Sequence, residues 1–224
     1  MKATDAAPAP CVAIERDCMR DKIRKAVIAR ILDGSYSAGT RLKEMALAQE
    51  FQTSQAPVRE ALRELESLGL VETQRYKGTY IRVASEEETR EAYALRACIE
   101  EACARLAIPV SADNLALLQA DVDGLVAAVR RKDLDDYARY NLAFHRRVVA
   151  LSGNRTMLKV WDSLGWEVRS RQTLNTAHRQ PRFQAAVKEH QTIVDHLAAG
   201  DGETAGRILR AHTEPFVASP SPKK

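Results

Sequence analysis

Cysteine, aromatics, strong net charge and long apolar runs are all scarce in this chain. Its four cysteines, Cys11, Cys18, Cys98 and Cys103, show no CxxC spacing among 224 residues. That excludes a disulfide-dense scaffold and fits reduced thiols in a cytoplasmic protein. No segment approaches the roughly 20 consecutive apolar residues of a membrane span. Residues 1–10 are rich in Ala and Pro without the hydrophobic run of a signal peptide. Aromatics make up 5%, so the core must be built from Leu, Val, Ala and Ile. The net charge is +4, too small for a generic polyanion binder. The excess is weakly skewed: residues 1–84 hold 14 Lys and Arg against 11 Asp and Glu, and residues 85–224 hold 20 against 19.

What is present is helical periodicity, at a length sufficient for two modest domains. In residues 17–32, Met19, Ile23, Val27 and Ile31 recur every four positions, predicting an amphipathic helix that ends at Asp33-Gly34. A second short helix is expected over 42–51, with Leu47, Ala48 and Phe51 as its buried contacts. The stretch 53–68 is the most informative. Ser54 is placed to cap a helix, Pro57 sits in its first turn, and Val58, Ala61, Leu62, Leu65 and Leu68 share one face before Gly69. Ala56, Arg59, Glu60, Arg63 and Ser67 point the other way. Such a helix suits a DNA major groove, where Arg59 or Gln55 reaches base edges, although alone it could equally be an ordinary surface helix. A short helix joined tightly to it completes a helix-turn-helix.

Residues 70–75 and 79–83 are two β-prone runs around Tyr76-Lys77-Gly78, which predicts a hairpin. Behind a helix-turn-helix this is a wing, with Arg75, Lys77 and Thr79 available to phosphates and Gly78 allowing close backbone approach. Residues 84–88, Ala-Ser-Glu-Glu-Glu, form a polar hinge that also caps the next helix. Beyond it no strand-like alternation occurs. Six helices are expected at about 86–107, 112–131, 133–151, 154–175, 182–199 and 202–217, as an antiparallel bundle. The fold class is therefore mostly α: an N-terminal winged helix-turn-helix over 15–84 with a small β-hairpin, then an all-helical domain over 85–217. Loose tails are expected over 1–14 and 218–224.

The bundle holds three histidines of interest. His145 follows Asn141 by four residues, so both leave one helix face. His190 and His212 lie on two later helices. Three imidazoles and an oxygen donor converging in a bundle would make a divalent transition-metal site. The ordinary alternative is that each histidine is partly exposed or hydrogen-bonded by itself. Arg96 has the fork geometry to hold a ligand carboxylate, and a structural ion pair is its alternative. His178 and His196 are expected to face solvent, and Trp161 and Trp166 to be packing residues or pocket wall.

Two sets of residues carry a family resemblance. Gly39-Thr40-Arg41-Leu42, Glu44, Leu47-Ala48, Ser54-x-x-Pro57-Val58-Arg59-Glu60-Ala61-Leu62, Leu65-Glu66, Gly69-Leu70-Val71 and Gly78 together resemble the winged-helix domain of GntR-type bacterial transcriptional regulators. That resemblance implies contacts with double-stranded operator DNA by Ser54, Gln55, Arg59, Lys77, Gly78 and Thr79. Many relatives carry Arg at the position of Gln55, so the operator sequence need not be inherited. Leu95-Arg96, Glu100, Ala104-x-Leu106-Ala107, Asn141-Leu-Ala-Phe144-His145, Ser152-Gly153-Asn154, Glu189-His190, Gly200-Asp201 and His212 resemble the FCD effector domain of the FadR-like branch. This implies zinc or another divalent metal at Asn141, His145, His190 and His212, with a small organic acid completing the coordination. An aspartate is usual where Asn141 stands. A neutral amide weakens cation affinity and leaves more positive charge for an anionic ligand. The expectation is a homodimeric, ligand-responsive regulator of a catabolic or transport operon, most simply a repressor. The competing classes are a metal-dependent enzyme acting on a small acid, and an architectural DNA binder with a purely dimerising bundle.

Overall fold

The protein is described by a computed structural model covering residues 18–82, 84–177 and 182–213. The expected tails, Cys11 and His178 lie outside those residues.

Helix α1 (Met19–Leu32) buries Ile23, Val27 and Ile28, the stripe its four-residue spacing dictates. A short strand, β1 (Arg41–Leu42), precedes α2 (Glu44–Glu50) and α3 (Gln55–Ser67). Leu42 therefore belongs to a strand and not to the second helix. Its side chain is buried while Arg41 faces out, the alternation of an edge strand on a core. Strands β2 (Val71–Gln74) and β3 (Gly78–Ile81) form the expected hairpin, and β1 adds to it in the order β1-β3-β2, all antiparallel. The register sets Leu42 against Thr79 and Gln74 against Gly78.

The apolar faces of these elements close one core: Val27, Leu47, Val58, Ala61, Leu65 and Ile81 are among its members. One member comes from far along the chain. Val168, 3% exposed, packs into the same core from a helix of the bundle.

The bundle comprises α4 (Glu86–Leu106), α5 (Ala112–Arg131), α6 (Leu134–Leu151), α7 (Arg155–Asp162), α8 (Trp166–Ala177), α9 (Arg182–Ala198) and α10 (Gly202–Thr213). Starts are written in the sequence. Ser85 and Glu88 form a capping box, and Ser111, Asp133 and Asn154 each accept first-turn amides. Among the described residues the bundle has seven helices, one more than expected. The segment over 154–175 breaks at Gly165, which adopts φ +64 and lies so close to the Leu68 carbonyl that a Cβ there would come within 2.8 Å of the oxygen. Helices α4 and α10 approach as closely, for a Cβ at Gly206 would sit 2.7 Å from the Glu101 carbonyl. This contact brings the end of α10, with His212, beside the middle of α4.

Candidate metal centre and nucleic-acid interface

The histidines that the sequence places on three helices meet in one spot. His145 from α6, His190 from α9 and His212 from α10 are 1%, 0% and 5% exposed, and one ring nitrogen from each lies within 4.8 Å of the others. Each ring is oriented by a separate acceptor at its Nδ1. Glu100 Oε2 on α4 is 2.8 Å from His145, the Ala186 carbonyl is 2.8 Å from His190, and Glu189 Oε2 is 2.8 Å from His212. With every Nδ1–H so engaged, Nε2 is the nitrogen each ring has left to offer a cation. This is the arrangement by which outer carboxylates and carbonyls fix the tautomer of metal-ligating histidines.

Asn141 Oδ1 stands 3.0 Å from His190 Nε2. With His190 Nδ1–H turned to Ala186, those two atoms are both acceptors and would be brought together by a cation between them. Turned over, the same amide would donate Nδ2–H to His190 in the absence of a cation. An aspartate could serve only the first state.

The electrostatics keep His145 and His190 ready to coordinate. Burial, with Arg96 nearby, pushes His145 down to about 4. Burial and the two neighbouring rings hold His190 well below its ordinary 6.5. Burial alone would raise Glu100, but Arg96, His145 and Trp161 outweigh it and hold the carboxylate ionised. Between pH 6.5 and about 4 the unfolded chain binds protons that the folded chain refuses. Stability of the metal-free protein is thus expected to be full above pH 6.5 and to decline as pH falls toward 4. Denaturation midpoints across that window check this; a flat profile would contradict neutral, buried imidazoles.

Arg96 is turned to a partner inside the bundle. It is 2% exposed, its Nε donates to Glu100 Oε1 at 2.7 Å, and its guanidinium lies 4.8 Å from the Trp166 ring and 5.7 Å from those of Tyr93 and Trp161. The carboxylate it meets is therefore an internal one, and the ion-pair alternative describes it. Trp161 Nε1 donates to the same Glu100 oxygen at 2.9 Å. Both tryptophans are buried, as packing requires. His196 is about a third exposed and lies 3.3 Å from Asp201.

On the head, α3 presents Gln55, Arg59 and Arg63 along one side. Ser54 occupies the cap position with φ −76, but its hydroxyl makes no bond to the first turn. The side chain is exposed and turned outward, so the capping role expected of it is not the one it performs. Arg59 is exposed, with Nε on Glu44 Oε2 at 2.9 Å and Nη2 on Gln55 Oε1 at 3.1 Å. At the wing, Arg75 and Lys77 are exposed and Gly78 has φ +109. Thr79 points inward: it is 7% exposed with Oγ1 3.3 Å from Thr73 Oγ1, which withdraws its side chain from any duplex. Sequence reasoning gave no DNA role to Tyr76, 91% exposed at the wing tip with Arg75 over its ring at 4.9 Å. It also overlooked Arg41, whose guanidinium lies beside Gly78 at the turn end of the hairpin. Nor did it give Glu100 and Glu189 their orienting roles. The i,i+4 spacing of Arg96 and Glu100 on an otherwise apolar face was the available signal.

Residues 91–215 match the FCD domain family, and residues 19–81 match the family described as bacterial regulatory proteins, gntR family. A protein of Paenarthrobacter nicotinovorans, named for transcriptional repression of a D-xylose utilization operon, is 31% identical over 91% of this chain and 89% of its own length. The gluconate operon transcriptional repressor of Bacillus licheniformis is 29% identical over 60% of this chain and 56% of its own. A solved GntR regulator of Rhodococcus sp. RHA1 superposes with a TM-score of 0.72 at 25% identity, covering 88% of this chain and 94% of the other. McbR/YncC of E. coli shares the fold, with a TM-score of 0.73 at 20% identity over 88% and 94% of the two chains.

Proposed function

We infer, for a chain that belongs to the gntR family of bacterial regulatory proteins and carries an FCD domain, that its bundle is a cation-dependent sensor of small organic acids. The chain is a DNA-binding regulator of transcription and not an enzyme. Within that function we assign 15–84 to operator binding and 85–217 to sensing and dimerisation, in the cytoplasm.

One observation carries the sensor reading. Three buried histidines each bring one ring nitrogen within 4.8 Å of the others, while each Nδ1 is held by its own acceptor. His145, His190, His212 and Asn141 Oδ1 would hold a divalent transition ion, zinc being the one best matched to imidazole ligands. All four donors are neutral, so the ion would keep its full positive charge and draw a carboxylate from a small acid. Arg96, already engaged by Glu100, would support this indirectly. The relatives named for the D-xylose and gluconate operons favour regulation of carbohydrate or sugar-acid catabolism, with repression as its sign.

On the head, Gln55, Arg59 and Arg63 would face base edges and backbone in the major groove, with Ser54, Arg75, Lys77 and Gly78 on phosphates. One such head covers a half-site, so a homodimer on a pseudo-palindrome is the economical arrangement.

The test is metal analysis of the purified protein together with competition against a chromophoric chelator. About one equivalent of divalent ion per chain is expected for a single site of this kind. A chain that neither retains nor takes up zinc would overturn the sensor reading. Asn141→Asp adds a negative ligand and should tighten zinc by roughly tenfold or more. Unchanged affinity would remove Asn141 from the coordination.

A further inference from the structure

Helix α8 touches both the surroundings of the histidine site and the interior of the DNA-binding head. Trp166, in its first turn and 2% exposed, lies against the Arg96 guanidinium at 4.8 Å and edge-on to Tyr93 at 5.1 Å. Arg96 in turn is bonded to Glu100, and Glu100 to His145. Val168 is two residues on, about 200° around a helix from Trp166 and so on nearly the opposite face. That side chain is seated in the head's core with α1 and α3.

Three further contacts tie the same turn to the head. Gly165 abuts the Leu68 carbonyl at the C-terminal cap of α3. Glu167 lies 3.8 Å from Arg24 of α1. Arg169 donates Nε–H to the Leu164 carbonyl at 2.7 Å, and its Nη2 passes close to Gly69. Helix α3 is the helix that bears Gln55 and Arg59.

We propose that the first two turns of α8 are the mechanical link between the histidine site and the DNA-reading helix, with Trp166 and Val168 as its positioning residues. A change in the seating of Glu100 shifts Arg96, and Trp166, packed on that cation, must follow. Because α8 moves as a rigid rod and close-packed cores do not deform continuously, displacement of Trp166 is delivered to Val168 and to the last turn of α3. The proposal rests on the cation-site reading only for what starts the movement; the link itself can be tested without metal.

Hydrogen exchange on the full chain provides that test, using Trp166→Phe and, as a variant that leaves α8 unaltered, Arg96→Lys. In metal-free protein both should speed exchange in the last turn of α3 and in α1 by about tenfold, although neither residue belongs to the head. Exchange there within about twofold of the parent in every folded variant would overturn the link. Zinc is then added to the parent and to Val168→Ala. The parent's α3 exchange should respond, whereas Val168→Ala should take up the same zinc without that response. A preserved response in Val168→Ala would also overturn it. If the parent takes up no zinc, the cation site falls, and the metal-free comparison still decides the link.

Discussion

Replacing Glu100 with alanine is expected to destabilise the protein by about 3–5 kcal/mol, the range for removing one partner of a buried ion pair. Glu100 is fully buried and accepts from three donors: Arg96 Nε at 2.7 Å, Trp161 Nε1 at 2.9 Å and, through its second oxygen, His145 Nδ1 at 2.8 Å. Its loss leaves a guanidinium uncompensated at 2% exposure and an indole N–H without an acceptor. The greater part of the cost is the stranded charge. Glu100→Ala combined with Arg96→Met should therefore recover much of it. The same substitution frees the His145 ring to rotate. Zinc affinity should fall by roughly 10- to 100-fold, as it does when an outer partner of a metal-binding histidine is removed. Denaturant titration of the two variants measures the first effect, and chelator competition the second. A Glu100→Ala protein as stable as its parent would mean that Arg96 finds another carboxylate, and the network would need redrawing.

The second large effect is expected at the other end of the molecule. Arg59→Ala should weaken specific operator binding by roughly 5- to 150-fold, the worth of one bidentate base contact, while zinc uptake and oligomeric state stay as they were. In the free chain Arg59 is not idle, since Glu44 and Gln55 hold it at 2.9 and 3.1 Å. Both bonds are solvent-exposed, and an exposed pair of this kind is worth at most about 1 kcal/mol, so a guanine edge can outcompete them. They also keep the guanidinium extended along the outer face of α3, which lowers the entropy lost on docking. Lys77→Ala should act differently. Removing a phosphate contact weakens binding to all sequences alike and lowers the salt dependence by about one ion. Anisotropy titrations at several salt concentrations, with operator and with unrelated duplex, separate the two. Equal losses on both DNAs for Arg59→Ala would place that side chain on the backbone and not on a base.

What the sequence made legible was whatever repeats locally. The Ile23–Val27 spacing, the Val58–Leu65 face of α3 and the hairpin around Gly78 were readable because their partners lie within a few residues of one another. The histidine cluster was readable as residue types on separate helices, and the meeting of α6, α9 and α10 brings the rings together as expected. Elements defined by distant partners were not. Two-residue β1 carries too little alternation to be recognised, and exists only because β3 offers an edge. The break between α7 and α8 is fixed by the Leu68 carbonyl, about a hundred positions away in the chain, so no periodicity announces it. Val168 reads as a bundle residue and serves the head's core. Thr79 alternates correctly within its strand, but which face is inward depends on where α3 lies. Glu189 was visible only as the neighbour of His190, whereas its carboxylate serves His212.

The most direct test of the account as a whole is operator affinity measured on zinc-loaded and chelator-stripped full-length protein, using duplex from upstream of its own coding region. If the histidine site and the reading helix are coupled, the two curves should differ by roughly 5- to 150-fold, and bound operator should change zinc affinity by the same factor. Superimposable curves from protein shown to bind zinc would contradict the account, leaving a DNA-binding head and a metal site that do not communicate.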